Sequence, residues 1–134
     1  MGLKLTTFEY DGKVLPVEFI ETMDVKDGVT CDVYSFVGDT TKDLGIVTVK
    51  RGHKTPLQRV LKGDKTIEGF VSGSGVLTVK SSSDKERAYQ FNDSNNTSYV
   101  EVVVGETMQW FADSDLIFYE VCHPPYSDGR FENL

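Results

Sequence analysis

A chain of 134 residues, 39% hydrophobic and 26% charged, has the size of one domain and the composition of an ordinary folded protein. Its formal net charge of −7 excludes the clustered Lys and Arg that nucleic acid or an anionic membrane surface selects, so neither is expected as a partner. No apolar run approaches the ~20 residues of a membrane helix.

Residues 3–10 (LKLTTFEY) alternate, Asp11-Gly12 signals a turn, and residues 14–18 resume a strand in which Pro16 marks an edge or a start. Residues 19–25 (FIETMDV) suit a strand or a short helical turn equally well. Residues 30–37 alternate cleanly, with Cys31, Val33 and Ser35 on one face and Asp32, Tyr34 and Phe36 on the other. Residues 38–42 read as a polar loop, 44–50 as a β-branched strand, and 55–61 as an extended segment with Pro56 near its start.

The next stretch, TIEGFVSGSGVLTVK at 66–80, reads as a hairpin: a strand, a Gly73-Ser74-Gly75 turn and a second strand. Thr66, Glu68, Phe70 and Ser72 share one face of its first arm. Further strands are expected at 86–91, 98–104, 108–111 and 116–122. Pro124-Pro125 keeps the tail out of any central strand and implies an extended surface segment. Some ten short strands at regular spacing, with no long helix, point to an all-β antiparallel jelly roll or closed barrel.

Three stretches carry a family resemblance: TPLQRV at 55–60, TIEGFVSGSGVLTV at 66–79, and GETMQWFADSDLIFYEVCHPPY at 105–126. With its Gly-x-Gly turn, its later Gly105-Glu106 turn and its exit through Pro124-Pro125-Tyr126, the chain resembles a small single-domain cupin. The resemblance implies a cupin barrel, with a core over about 30–122 and a C-terminal arm over 123–134. It also implies a metal site built from a His-x-His pair, a Glu and a later His. Counting back from Gly73 places Thr66 at the Glu position and Arg59 and Leu61 at the His-x-His positions, while residues 111–116 replace the second motif. With only His53 and His123 in the whole chain, three histidines are unavailable, so neither metal nor cofactor is expected.

The chemistry-bearing residues are then few. Glu68, displaced by two residues on the same strand face, is the candidate catalytic carboxylate, a general acid/base or a hydroxyl acceptor if its face lines the barrel. Otherwise it is a solvated or Arg-paired Glu. His53 at the barrel mouth is a candidate partner proton carrier, with a solvated loop histidine as the plain alternative. His53, Gln58 and Glu68 together make a poor donor set for Zn²⁺ or Fe²⁺.

Gln58 and Thr66 are candidate ligand-binding residues, Gln58 because its stretch is similar to one in sugar-handling cupins. Arg59, on the opposite face from Gln58, suits a carboxylate. Phe70, Trp110 and Tyr119 are expected as a stacking face for a sugar ring, with core packing as the alternative. Cys31 and Cys122 lack metal spacing and read as two buried thiols of a reducing compartment, which, with no leader segment at the start, gives a cytoplasmic expectation. Cys122 and His123, adjacent on a strand, point to opposite faces and form no catalytic pair.

The expected function is binding of a polar small molecule, a sugar derivative or organic acid, in a metal-free barrel. The alternatives are a metal-independent sugar isomerase or epimerase using Glu68, or a structural module. The edges and the Pro-rich arm lead to the expectation of a homodimer.

Overall fold

The computed structural model describes residues 4–60, 65–95, 99–123 and 131–134. Among them run twelve strands: β1 (Thr7–Tyr10), β2 (Lys13–Lys26), β3 (Val29–Phe36), β4 (Asp39–Val49), β5 (Gln58–Val60), β6 (Lys65–Ser72), β7 (Gly75–Lys80), β8 (Glu86–Phe91), β9 (Val100–Val103), β10 (Thr107–Ala112), β11 (Leu116–His123) and β12 (Phe131–Asn133). Leu61, and Pro124 to Tyr126 of the tail, lie outside the described residues.

The strands form two antiparallel sheets curled toward one another. One has the order β1-β2-β3-β4-β11-β6-β9 and the other β12-β5-β10-β7-β8. Their facing sides make the main core, from Val29, Val49, Leu116 and Phe118 of the first sheet to Val60, Leu77, Val79 and Trp110 of the second. Strand alternation leaves the other side of the seven-stranded sheet apolar too, with Tyr34, Phe36, Leu44, Ile67 and Val121. The β1–β2 hairpin folds across that outer side. Phe8 meets the edge of the Tyr119 ring at 5.1 Å, and Tyr10 Oη bonds His123 Nε2 at 2.8 Å.

Three expectations are revised. Residues 19–25 belong to one continuous fourteen-residue strand, β2, which pairs with β1 as far as Pro16 and with β3 from Val17 onward. Pro16 thus sits where the strand changes partner, and its missing N–H leaves no ladder bond unmade. Residues 38–42 lie largely within β4: the register jumps from Phe36↔Asp39 to Ser35↔Asp43, so the polar residues between bulge outward.

The largest revision concerns 66–80. β6 and β7 form where expected, yet they do not pair. β6 pairs β11 and β9, whereas β7 pairs β10 and β8, so the Gly-Ser-Gly turn carries the chain from one sheet to the other. Gly73 has φ of +90°, and a Cβ there would fall 1.9 Å from the Asp115 carbonyl oxygen. The crossing is therefore built from a left-handed backbone pressed against the β10–β11 connection.

Candidate functional site

The inward side of the seven-stranded sheet is ordered in rows fixed by its registers. Val29, Val49 and Leu116 form the first row, followed by Cys31, Val47, Phe118 and Phe70. The third row holds Val33, Gly45, Glu120, Glu68 and Val100, and the fourth Ser35, Asp43, Cys122, Thr66 and Val102. The first two rows are almost wholly apolar, and the polar side chains gather in the last two.

Glu68 is 1% exposed. Its Oε1 accepts the indole N–H of Trp110 at 2.9 Å. Trp110 in turn stacks on Phe118 at 4.3 Å and tilts against Phe91 at 5.3 Å, and Phe91 stacks on Phe70 at 6.0 Å. This run of rings crosses the barrel and joins the two sheets, and Glu68 satisfies its single buried donor.

Glu120 lies directly across the strand pair from Glu68. Burial, and next the Glu120 charge, raise the Glu68 carboxyl well above the ordinary range. Two carboxyls this close do not ionise together, so the pair retains a proton that Glu68 shares with Glu120. Glu68 Oε2 and Thr66 Oγ1 are buried and make no well-formed hydrogen bond, although Glu120 and Thr66 both bear on the Glu68 carboxyl. Cys31, one row away, has its thiol pushed up to about 12 by burial and then by Glu120. It is therefore a protonated wall residue rather than a nucleophile.

The other expected site residues do not join this group. His53 packs against Gly28, its Nδ1 within 3.2 Å of the Arg51 carbonyl and its Nε2 3.8 Å from Asp27 Oδ2. It thus adjoins the Val29–Val49 end, two rows or about 13 Å of strand from Glu68. Gln58 Nε2 donates to Asn133 Oδ1 at 3.1 Å in an exposed position between β5 and β12. The shared aromatic face of Phe70, Trp110 and Tyr119 does not form. Phe70 and Trp110 face the interior, whereas Tyr119, one residue out of phase, lies over Gly69 on the outer side. Thr66 is fully buried on the Glu68 face, as its alternation predicts.

Two features escaped the sequence. Glu120 is a single charge in an otherwise apolar strand, and only the β6–β11 register brings it to Glu68. The second is an open cavity of about 410 Å³ between β8 and β9, one edge strand from each sheet among the described residues. Arg87, Tyr89, Tyr99, Val100 and Glu106 line it.

The metal implied by the resemblance does not fit the donors present. Among the described residues no three His, Cys, Asp or Glu side chains gather as a metal-holding group. His53 and His123 sit at opposite ends of the sheet, and the counted ligand positions hold Thr66 and Leu116, a hydroxyl and a hydrocarbon.

No family profile matches the sequence, and no curated protein does. Solved structures do match in fold. An oxalate decarboxylase variant from Bacillus subtilis superposes with a TM-score of 0.70 at 18% identity, covering 86% of this chain and 30% of that one. An oxalate decarboxylase of Lactobacillus farciminis in complex with formate gives 0.67 at 20% identity, covering 88% and 33%. CapF bound to the inhibitor 3-isopropenyl-tropolone gives 0.66 at 16% identity, covering 89% and 34%. The chain thus spans about a third of the length of these proteins. Two antiparallel sheets curled into a half-barrel, crossed at Gly73-Ser74-Gly75 and superposing over most of this chain's own length on part of those proteins, identify the chain as a cupin-fold protein.

Proposed function

We propose that this chain binds a polar small molecule, a sugar derivative or organic acid, on the Glu68–Thr66 wall of its barrel without a resident metal. The observation that carries this reading is the buried pair of oxygens, Glu68 Oε2 and Thr66 Oγ1, which lie among the polar rows of the wall and make no well-formed hydrogen bond beyond the proton shared with Glu120. Such groups are costly unless something satisfies them, and a ligand hydroxyl or carboxylic acid does so. The similar oxalate decarboxylases, one of them holding formate, support an organic acid as one of the two classes.

Saturation-transfer NMR with a panel of sugars, sugar phosphates and small dicarboxylates tests it. At least one compound should bind the native chain and lose about tenfold or more in affinity in Glu68→Gln. That variant keeps the acceptor for Trp110 while exchanging the acid for an amide. Binding that is unchanged in Glu68→Gln would remove the ligand from this wall.

The raised Glu68 carboxyl favours a second reading, metal-independent acid/base catalysis such as isomerisation or epimerisation of a sugar derivative. A carboxyl that burial and a neighbouring acid make hold its proton more tightly than an ordinary glutamate is suited to giving it up to a bound substrate. In this case Glu68→Gln should abolish turnover with the near-ultraviolet signal of Trp110 unaltered, and a retained rate would refute the role.

A further inference from the structure

The cavity between β8 and β9 has a different chemistry from the barrel wall. Its charged groups are already arranged, and among the described residues Arg87 keeps donors beyond those it gives Glu106. Glu106 Oε1 accepts the Val103 N–H at 3.0 Å and its Oε2 accepts Arg87 Nη2 at 2.7 Å, so both oxygens of this mostly buried carboxylate are occupied. Glu101, the other acid of the lining, pairs with Lys65 at 3.1 Å.

Arg87 therefore gives Glu106 one of its five N–H donors while its side chain stays 44% exposed. Its guanidinium lies 5.9 Å from the centre of the Tyr89 ring, and the Glu106 bond and this ring together fix its position. Tyr89, Tyr99, Val100 and Val103 line the same space, Val100 buried and Tyr99 and Val103 half exposed. The volume, about 410 Å³, suits a small organic molecule.

We propose that this cavity is a binding site for a small carboxylate with a flat apolar body, anchored by Arg87 and flanked by Tyr89 and Tyr99. A planar guanidinium held by an acid and a ring presents its remaining donors as a fork, which a carboxylate matches and a neutral amide does not. The rings and Val100 give a flat hydrocarbon body an apolar surface to lie against. Glu106 is a positioning residue: it holds the fork without touching the ligand. The site does not depend on Glu68, because a barrel ligand is lost with Glu68→Gln and a cavity ligand with Arg87→Gln.

The test is an amide chemical-shift titration of the full chain with benzoate as the probe and benzamide as its uncharged counterpart. Benzoate should shift the amides of residues 87–89 and 99–106, saturate, and weaken as salt is raised, whereas benzamide should bind at least about tenfold more weakly. Arg87→Gln should abolish saturation, and Arg87→Lys, which keeps the charge but not the fork, should weaken binding severalfold. Both variants alter an exposed edge side chain, and unchanged amides at Leu44 and Leu116 would show the fold intact. Equal responses to benzoate and benzamide, full affinity in Arg87→Gln, or shifts confined to other residues would each overturn the proposal.

Discussion

Glu68 has no solvent to ionise into, and its neighbour across the sheet carries the same charge. The native state therefore binds its proton more tightly than the unfolded chain does. For a carboxyl raised in the native state, this proton contributes fully to stability below the ordinary glutamate range near 4.3 and progressively less as pH rises above it. In that interval stability should fall by about 1.4 kcal/mol per pH unit, levelling only once the native pair has ionised. Urea unfolding across pH checks this: the decline should be present in the native chain and flattened in Glu68→Gln. Equal slopes in the two proteins would mean that Glu68 is ionised throughout.

The sequence showed half of this site. Period-two alternation correctly set Thr66, Glu68 and Phe70 on one face, since a strand allows no other arrangement. It could not show that this face meets Glu120, because the offset between two strands fifty residues apart is fixed by packing and not by either strand alone. The same ignorance of phase misplaced Tyr119. Trp110 and Tyr119 come from different strands, and nothing local ties the parity of one to that of the other.

At the scale of the element, two glycines determine what β6 can do. Gly69 lets the Tyr119 ring lie on the backbone of its neighbour, where a Cβ would fall 2.1 Å from the ring. This places Tyr119 against Phe8 of the covering hairpin. Gly69→Ala should displace the ring and cost about 1–3 kcal/mol, and in combination with Tyr119→Ala the two losses should not add. A double-mutant cycle by thermal unfolding measures that coupling.

Gly73 ends the strand in a conformation that L-residues resist, with Asp115 filling the space of a side chain. Gly73→Ala should cost about 3 kcal/mol or more, because left-handed strain and a backbone collision act together. The fall in unfolding midpoint reads this, and a loss within 0.5 kcal/mol would show that the crossing is pliable. A Gly-x-Gly between two strands looked like a hairpin because the turn residues of a hairpin and of a sheet crossing are the same. What distinguishes them is the partner each arm finds, and those partners lie elsewhere in the chain.

Over the whole molecule, the all-β jelly-roll class was legible from strand spacing alone, whereas the second, outer apolar layer was not. Alternating residues on 30–36 are apolar on both faces, which implies two covers without saying what they are. The β1–β2 hairpin supplies the outer one and is tied to β11 through Tyr10 and His123. Tyr10→Phe keeps the ring contacts and removes that bond, so it should cost about 1 kcal/mol in urea unfolding with an unchanged m-value. A change in m would mean that the hairpin detaches.

The insertion of β11 between β4 and β6 also sets an order in time. Val49 and Ser72 both wait for residues 116 and 117 before their strands have a shared neighbour. Until the chain has reached that far, β4 and β6 are two open, β-branched edges with no ladder between them. Closing loops of that length before any contact rewards them places refolding in the slow, millisecond-to-second regime of β-topologies. The polypeptide is most vulnerable to misassembly on a ribosome or in a refolding tube during the interval before β11 arrives, and much less so once the barrel is made.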